Sequence, residues 1–250
     1  MSENLFFEKK GPFPLQEIAK VIGCNINFSK ESSFDVNSLE SLDKADSTHI
    51  TFLNSSKYQK LAQNTKAGAC ITSKNLSNLL PQKCIKLDVK NVLFSVTQVT
   101  RLFFPTADID FHDYNLLNAD DLKSLYPKVI FGKNVLIGKD VKIGNQTQIA
   151  SNSIIESNVK IGENCIIGSF VLIRNSIISN KVYIQDGSKI GLKGFGFIPR
   201  TSSNLRTPHI GKVILEDGVE VGANCTIDRG SLSNTIIGEN TFLDNQVHVA

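Results

Sequence analysis

No stretch of this chain approaches the roughly 18 consecutive apolar residues of a membrane span. Residues Met1 to Lys10 carry charge without an apolar segment of signal-peptide length. The expected compartment is therefore the reducing cytoplasm. No CxxC pair occurs among the five cysteines, Cys24, Cys70, Cys84, Cys165 and Cys225, and their odd number argues against a disulfide framework as well as a zinc ribbon. Basic runs are equally missing, since Lys9-Lys10 is the nearest approach to one and the formal net charge is +3, so attraction to nucleic acid is not expected. His49, His112 and His209 are scattered without ligand spacing, and no metal centre is expected. With 41% apolar and 20% charged residues, the composition is that of a folded globular protein of one large or two ordinary domains.

What the chain does have is a period. From Phe131 an apolar residue recurs at every sixth position, through Ile137, Ile143, Ile149, Ile155, Ile161, Ile167 and Ile173. Glycine follows at Gly132, Gly138, Gly144, Gly162 and Gly168, which gives the hexad Ile-Gly-x-x-x-x of a stacked β-helix. Strand side chains alternate faces, so a six-residue period with a corner puts the same residue type inside at every rung. A second, smaller inward site lies two positions earlier, at Val135, Val141, Thr147, Ser153, Val159, Cys165 and Val171. Glycine after the inward residue suits a corner that needs positive φ or close backbone approach. The rhythm slips to Ile178, resumes at Ile184 and Ile190, and returns after an interruption at Leu215, Val221 and Ile227, then at Ile237, Leu243 and Val249. Three hexads per turn make a coil of about 18 residues stabilised by contacts between neighbours.

The expected architecture is an α/β amino-terminal domain over 1–104, a polar connection over 105–128 and an all-β left-handed parallel β-helix over 129–250. In the first domain we expect helices over 14–23, 57–63 and 91–103, and strands over 25–29, 50–53, 67–73 and 84–89. A loop over 192–212 leaves the coil with Gly194-Phe195-Gly196-Phe197, and its phenylalanines Phe195 and Phe197 mark it as a loop or subunit contact rather than a tolerated insertion.

Four stretches carry a family resemblance: Ile50-Thr51-Phe52-Leu53 through Lys57-Tyr58, Gly194-Phe195-Gly196-Phe197, Thr226-Ile227-Asp228-Arg229-Gly230, and Asp244-Asn245-Gln246-Val247-His248-Val249-Ala250. With the hexads they resemble the UDP-3-O-(3-hydroxyacyl)glucosamine N-acyltransferases of lipid A biosynthesis, over nearly the whole chain. The resemblance implies a homotrimer whose amino-terminal domains bind uridine. It implies transfer of a 3-hydroxyacyl chain from acyl carrier protein to the 2-amine of a UDP-3-O-acyl-glucosamine, with no metal or cofactor beyond the carrier's phosphopantetheine. Substrate binding then falls to Phe52, Ser55, Lys57 and Tyr58, with the uracil stacked on Phe52 and Tyr58 near the phosphates, and to Asp244, Asn245 and Gln246. Ser55 stands where many members have asparagine, so a hydroxyl replaces an amide there. The last three residues equally suit a coil-edge turn. Amine attack on a thioester needs a general base. The resemblance places that base, a histidine, directly after Ala250, outside this chain, with further hexads following; His248 is the substitute within it. Asp228 and Arg229 interrupt the hexads and read either as an ion pair or as a trimer or cleft contact. Lys193 has no assigned role.

Three other readings compete. A UDP-sugar-binding β-helix without turnover would bind but not react. A related hexapeptide O-acyltransferase would start directly with hexads, without the leading domain. A zinc hydratase on the same scaffold needs three histidines, whereas only His209 and His248 fall in the hexad region.

Overall fold

The structure, a computed structural model, describes residues 4–24, 34–201 and 203–250. The expected strand over 25–29 lies outside the described residues. Contacts divide the chain into two compact units, one comprising Phe7–Asp108 with Gly196–Pro208, the other Met1–Phe6, Ile109–Phe195 and His209–Ala250.

The first unit is built on a parallel sheet of Ser38–Leu39, His49–Leu53, Ala69–Thr72 and Ile85–Asp88, adjacent in that order. Helix α1 (Leu15–Val21) buries Leu15, Ile18 and Ala19, matching the apolar spacing. A single turn at Ser56–Tyr58 leads into α2 (Gln59–Asn64), and α3 (Val92–Phe103) lies against the sheet. The start of α3 is set by Asn91, whose side-chain oxygen accepts from the Phe94 amide at 3.0 Å, a cap that satisfies one orphan donor. Buried side chains Leu39, Ile50, Ile71, Leu87, Val99 and Phe103 supply the apolar interior. Part of the interruption also belongs to this unit: Phe197–Ile198 and Leu205–Arg206 pair as a short antiparallel hairpin. Arg101 Nη2 donates to the Arg206 carbonyl at 3.1 Å, and the Arg200 guanidinium lies 5.7 Å over the Phe94 ring.

The second unit carries the hexads on three sheets, of five, six and seven strands, parallel throughout except for one edge strand of the largest. Phe131, Ile149, Ile167, Ile184, Val221 and Leu243 follow one another in register on one sheet. Ile137, Ile155, Ile173, Ile190, Ile227 and Val249 do so on the second. Ile143, Ile161, Ile178, Leu215 and Ile237 form the third column. Equivalent positions on successive rungs lie 18 residues apart, as in the Lys139 amide donating to Ser157 Oγ. All seven small inward residues from Val135 to Val171 are buried, Thr147 and Ser153 included. These two hydroxyls stay inside because each donates to a carbonyl, Thr147 to Gly162 at 2.9 Å and Ser153 to Gly168 at 2.7 Å. Cys165 and Cys225 are buried packing residues, as expected.

Two expectations are corrected here. Gly132, Gly138, Gly144, Gly162 and Gly168 do not take positive φ, unlike Gly191 after Ile190; their role is close approach, since a Cβ on Gly138 would sit 2.3 Å from the Ser157 amide nitrogen. Positive φ falls two residues later instead, at Asn134, Asp140, Gln146, Asn152, Asn158 and Asn164. Asparagine and aspartate tolerate that region best among residues with a side chain, which is why they recur there. The segment read as an irregular connection also contains regular structure. Leu117–Asn118 pairs antiparallel with Leu136–Ile137 and covers the first edge of one sheet, and a short turn of helix follows at Ala119–Leu122.

Candidate functional site

In the amino-terminal unit, Phe52, Ser55, Lys57 and Tyr58 all sit at or just past the carboxyl end of the His49–Leu53 strand. Open parallel sheets bind ligands at that end, because the loops leaving the strands diverge there. Phe52 is half-buried, and Tyr58 is exposed at 54%. Ser55, in extended conformation, caps the following turn by accepting from the Lys57 amide at 3.3 Å. A hydroxyl that accepts can still donate, so Ser55 keeps one hydrogen able to donate. Lys57 is exposed beside it.

In the hexad unit, Asp228 lies on the Thr226–Arg229 strand, and its Oδ2 is 3.3 Å from Nε2 of His248 on the neighbouring His248–Val249 strand. The pair is lopsided, since the imidazole is 58% exposed and the carboxylate 12%. His248 projects outward in a column with Thr226 and Lys189, one above another on the same sheet. Lys189 donates to the carbonyls of Phe170 and Gly187, each at 2.7 Å, and burial pushes its ammonium pKa down.

Asp244, Asn245 and Gln246 form a corner. Asn245 Oδ1 accepts from the Ala223 amide at 2.7 Å, the Gln246 amide donates to the Ala223 carbonyl at 2.8 Å, and Asp244 Oδ1 accepts from the Asn245 amide at 2.8 Å. Gln246 takes φ 60 like the other corner residues. These contacts serve the turn, the second of the two roles expected for these residues. Phe195 is 88% exposed and Phe197 41%.

Arg229 makes a buried ion pair, one of the two readings expected for it. It does not present its fork at an outer surface; its side chain is fully buried and bidentate on Asp110, at 2.6 Å and 3.0 Å. Its remaining donors reach the carbonyls of His209 and Gly191, both at 3.0 Å. Nor does Arg229 pair with Asp228. Asp110 also accepts from the Lys193 amide at 3.1 Å, and Arg174 Nη1 stands 3.7 Å away. Arg174 in turn binds Glu156 at 2.9 Å and the Phe111 carbonyl at 2.9 Å. Burial alone would raise the Asp110 pKa, but the hydrogen bond and charge of Arg229, helped by Arg174, outweigh it and hold the carboxyl below its ordinary value. For Glu156 burial wins, and its pKa is raised despite Arg174.

Asp110, Glu156 and Arg174 were not singled out by the sequence reading, although a signal was present. Glu156 and Arg174 occupy the slot filled by glycine at Gly138 and Gly144, and their host strands pair in register, so these two charged breaks in the glycine pattern stack on each other. Among the described residues no group of three or more histidine, cysteine, aspartate or glutamate side chains is placed to hold a metal ion, and no helix is long and apolar enough to cross a membrane.

Comparison with known proteins separates the two halves in the same way. The family model described as UDP-3-O-(3-hydroxymyristoyl) glucosamine N-acyltransferase, LpxD, matches residues 33–102, and the bacterial transferase hexapeptide model (six repeats) matches residues 140–175. A UDP-3-O-acylglucosamine N-acyltransferase of Granulibacter bethesdensis is 40% identical over 98% of this chain and 71% of its own length. UDP-3-O-acylglucosamine N-acyltransferase 2 of Legionella pneumophila (strain Paris) is 40% identical over 100% of this chain and 73% of that protein. The enzyme of the same description from Azorhizobium caulinodans is 41% identical over 100% of this chain and 72% of that protein.

Proposed function

Because the chain belongs to the UDP-3-O-acylglucosamine N-acyltransferase family, we propose that it moves a 3-hydroxyacyl chain from acyl carrier protein to the 2-amine of a UDP-3-O-acyl-glucosamine in lipid A biosynthesis. The observation that carries this reading is the 40% identity running through both halves of the chain. A match to the hexads alone would have left the acceptor open. In this reading the rungs wind left-handed, three chains assemble in the cytoplasm, and no cofactor is used beyond the carrier's phosphopantetheine arm.

The two halves divide the work. Phe52 offers a flat ring at the carboxyl end of its strand, on which a uracil stacks, and Tyr58, exposed six residues on, donates its phenol proton to a phosphate oxygen. Lys57 places a cation beside the same turn, and the Ser55 hydroxyl donates to the uracil edge. On the acyl side, attack requires the neutral amine. A base must take a proton as the amine reaches the thioester carbon, and donors must steady the oxyanion before the thiolate departs. The base is assigned to the histidine that the resemblance implies after Ala250, and His248 is the imidazole held within these residues.

Two outcomes test the assignment. Phe52→Ala is expected to weaken UDP-sugar binding by about 5- to 150-fold, the equivalent of the roughly 1 to 3 kcal/mol a stacked base contributes. Titration calorimetry with the UDP-sugar reads this directly, and an unchanged Kd would remove Phe52 from the uracil site. In an extended chain that includes the expected histidine, His248→Ala is expected to keep kcat within about tenfold of the parent, whereas loss of a general base lowers it by about 100-fold or more. Steady-state transfer assays with acyl carrier protein as donor make the distinction. UDP-sugar binding with no amide product from an extended chain that includes the expected histidine would favour the binding-only reading.

A further inference from the structure

We propose that the amino-terminal sheet holds an internal water molecule, bound by His49 and Thr51 on the strand that ends in Phe52. Both residues are fully buried, at 0% exposure, yet His49 Nε2 and Thr51 Oγ1 have no hydrogen-bonding partner among the described residues. Buried polar atoms of this kind are nearly always satisfied, by protein or by ordered water. Two of them two residues apart on one strand point to a single shared partner.

Strand geometry brings them together. Alternate residues face the same side, so His49, Thr51 and Leu53 share a face, with same-side neighbours about 7 Å apart. One water at about 2.8 Å from each atom bridges polar atoms up to about 5.6 Å apart, a separation that side chains leaning toward each other from that backbone spacing reach, whereas a direct bond between the two side chains is not made. Further partners stand on the adjacent strand. Ser38 is in register with His49, and its hydroxyl has only a 3.5 Å contact to the Leu39 carbonyl. Glu40 follows on the same face, half-buried. Beyond Leu53 the cluster is apolar, with Leu42, Ala45, Ala62 and Leu80, so the polar end is local.

The imidazole needs this partner in either tautomer. Its Nδ1 lies 2.8 Å from Asp46 Oδ1 and 3.2 Å from the Asp46 amide nitrogen. The two contacts make opposite demands on the proton. A bare nitrogen that close to a carboxylate oxygen would be repelled, so the shorter, charge-assisted contact decides for Nδ1–H. Nε2 is then an acceptor that requires a donor, and a water that donates to it can accept from the Thr51 hydroxyl. With the other tautomer the water accepts from Nε2–H instead. The inference does not depend on the proposed activity.

A crystal structure of the full chain at about 1.8 Å or better provides the test. The expected result is a discrete density peak within about 3.2 Å of both His49 Nε2 and Thr51 Oγ1. A direct bond between those atoms, or either atom bonded to another protein group with no peak between them, would overturn the proposal. Thr51→Val keeps the shape and removes one ligand, and its structure is expected to lack the peak; persistence of the water at full occupancy also overturns it. Should that variant not fold, water-to-ring nuclear Overhauser contacts at His49 in the parent protein give a second measurement. Their presence supports the site, and their absence argues against it.

Discussion

Replacing Arg229 by methionine is expected to destabilise the protein by about 3 to 5 kcal/mol, the range found when one partner of a buried ion pair is removed. At least four hydrogen bonds disappear at once, among them those to both oxygens of Asp110 and to the carbonyls of His209 and Gly191. Arg174 Nη1, 3.7 Å from Asp110, is too distant to replace them. For a chain of this size the loss corresponds to a drop in Tm of about 6 to 20 °C, measured by circular dichroism. Adding Asp110→Asn should recover part of it, because the uncompensated charge is then gone. A Tm within 2 °C of the parent would mean that Asp110 finds water instead. The parent's acid response follows from the same contacts. Asp110 has its pKa lowered by folding, so its contribution is present above the ordinary carboxylate value and fades as pH falls through the lowered one. Glu156 has its pKa raised, so its contribution is largest below the ordinary carboxylate value and is lost as pH rises. The methionine variant should therefore show a flatter loss of stability on acidification below about pH 4.

Gly191→Ala is the second large effect. The backbone there has φ +84, and an added Cβ would lie 1.7 Å from the Arg174 carbonyl oxygen and 2.6 Å from Ser176 Oγ. The nearest atom is backbone of the adjoining rung, so relief requires the rungs to move apart. Left-handed strain and overpacking together are expected to cost about 2 to 5 kcal/mol. Gly23→Ala is the control. It also has positive φ, at +65, but among the described residues nothing lies within 4 Å of the added carbon, so only the conformational part, about 1 to 2 kcal/mol, applies. Chemical denaturation of the two variants separates clash from strain, and equal midpoints would refute the close approach. Gly191 also accepts from Arg229, so the two large substitutions should not be additive.

The hexad core was legible because its signal is periodic and local. Every inward position from Ile137 to Ile173 reads directly off the six-residue spacing, except that Ile143 is only partly covered near the open end of its sheet. The turn chemistry was half legible. The glycines announced corners, but which corner residue takes positive φ depends on where the chain leaves the strand, and spacing alone does not say. The Asp110 contacts were the least legible part. They join residues 119 positions apart, and no local pattern encodes such a pairing. Phe52, Ser55, Lys57 and Tyr58 were found through resemblance, and the fold then supplied a physical reason for them, the carboxyl end of a parallel strand.

Registration of the rungs also dictates which length changes the gene can accept. Each strand finds its partner 18 residues along the regular part of the stack. Removing a whole such unit deletes one circuit and returns every later strand to its own sheet. Removing six residues would keep the isoleucine spacing yet pass each later strand to the neighbouring face, and Glu156 would no longer stand beneath Arg174. Insertions and deletions between Phe131 and Ile173 should therefore be tolerated in steps of one full circuit, although the sequence itself repeats three times as often.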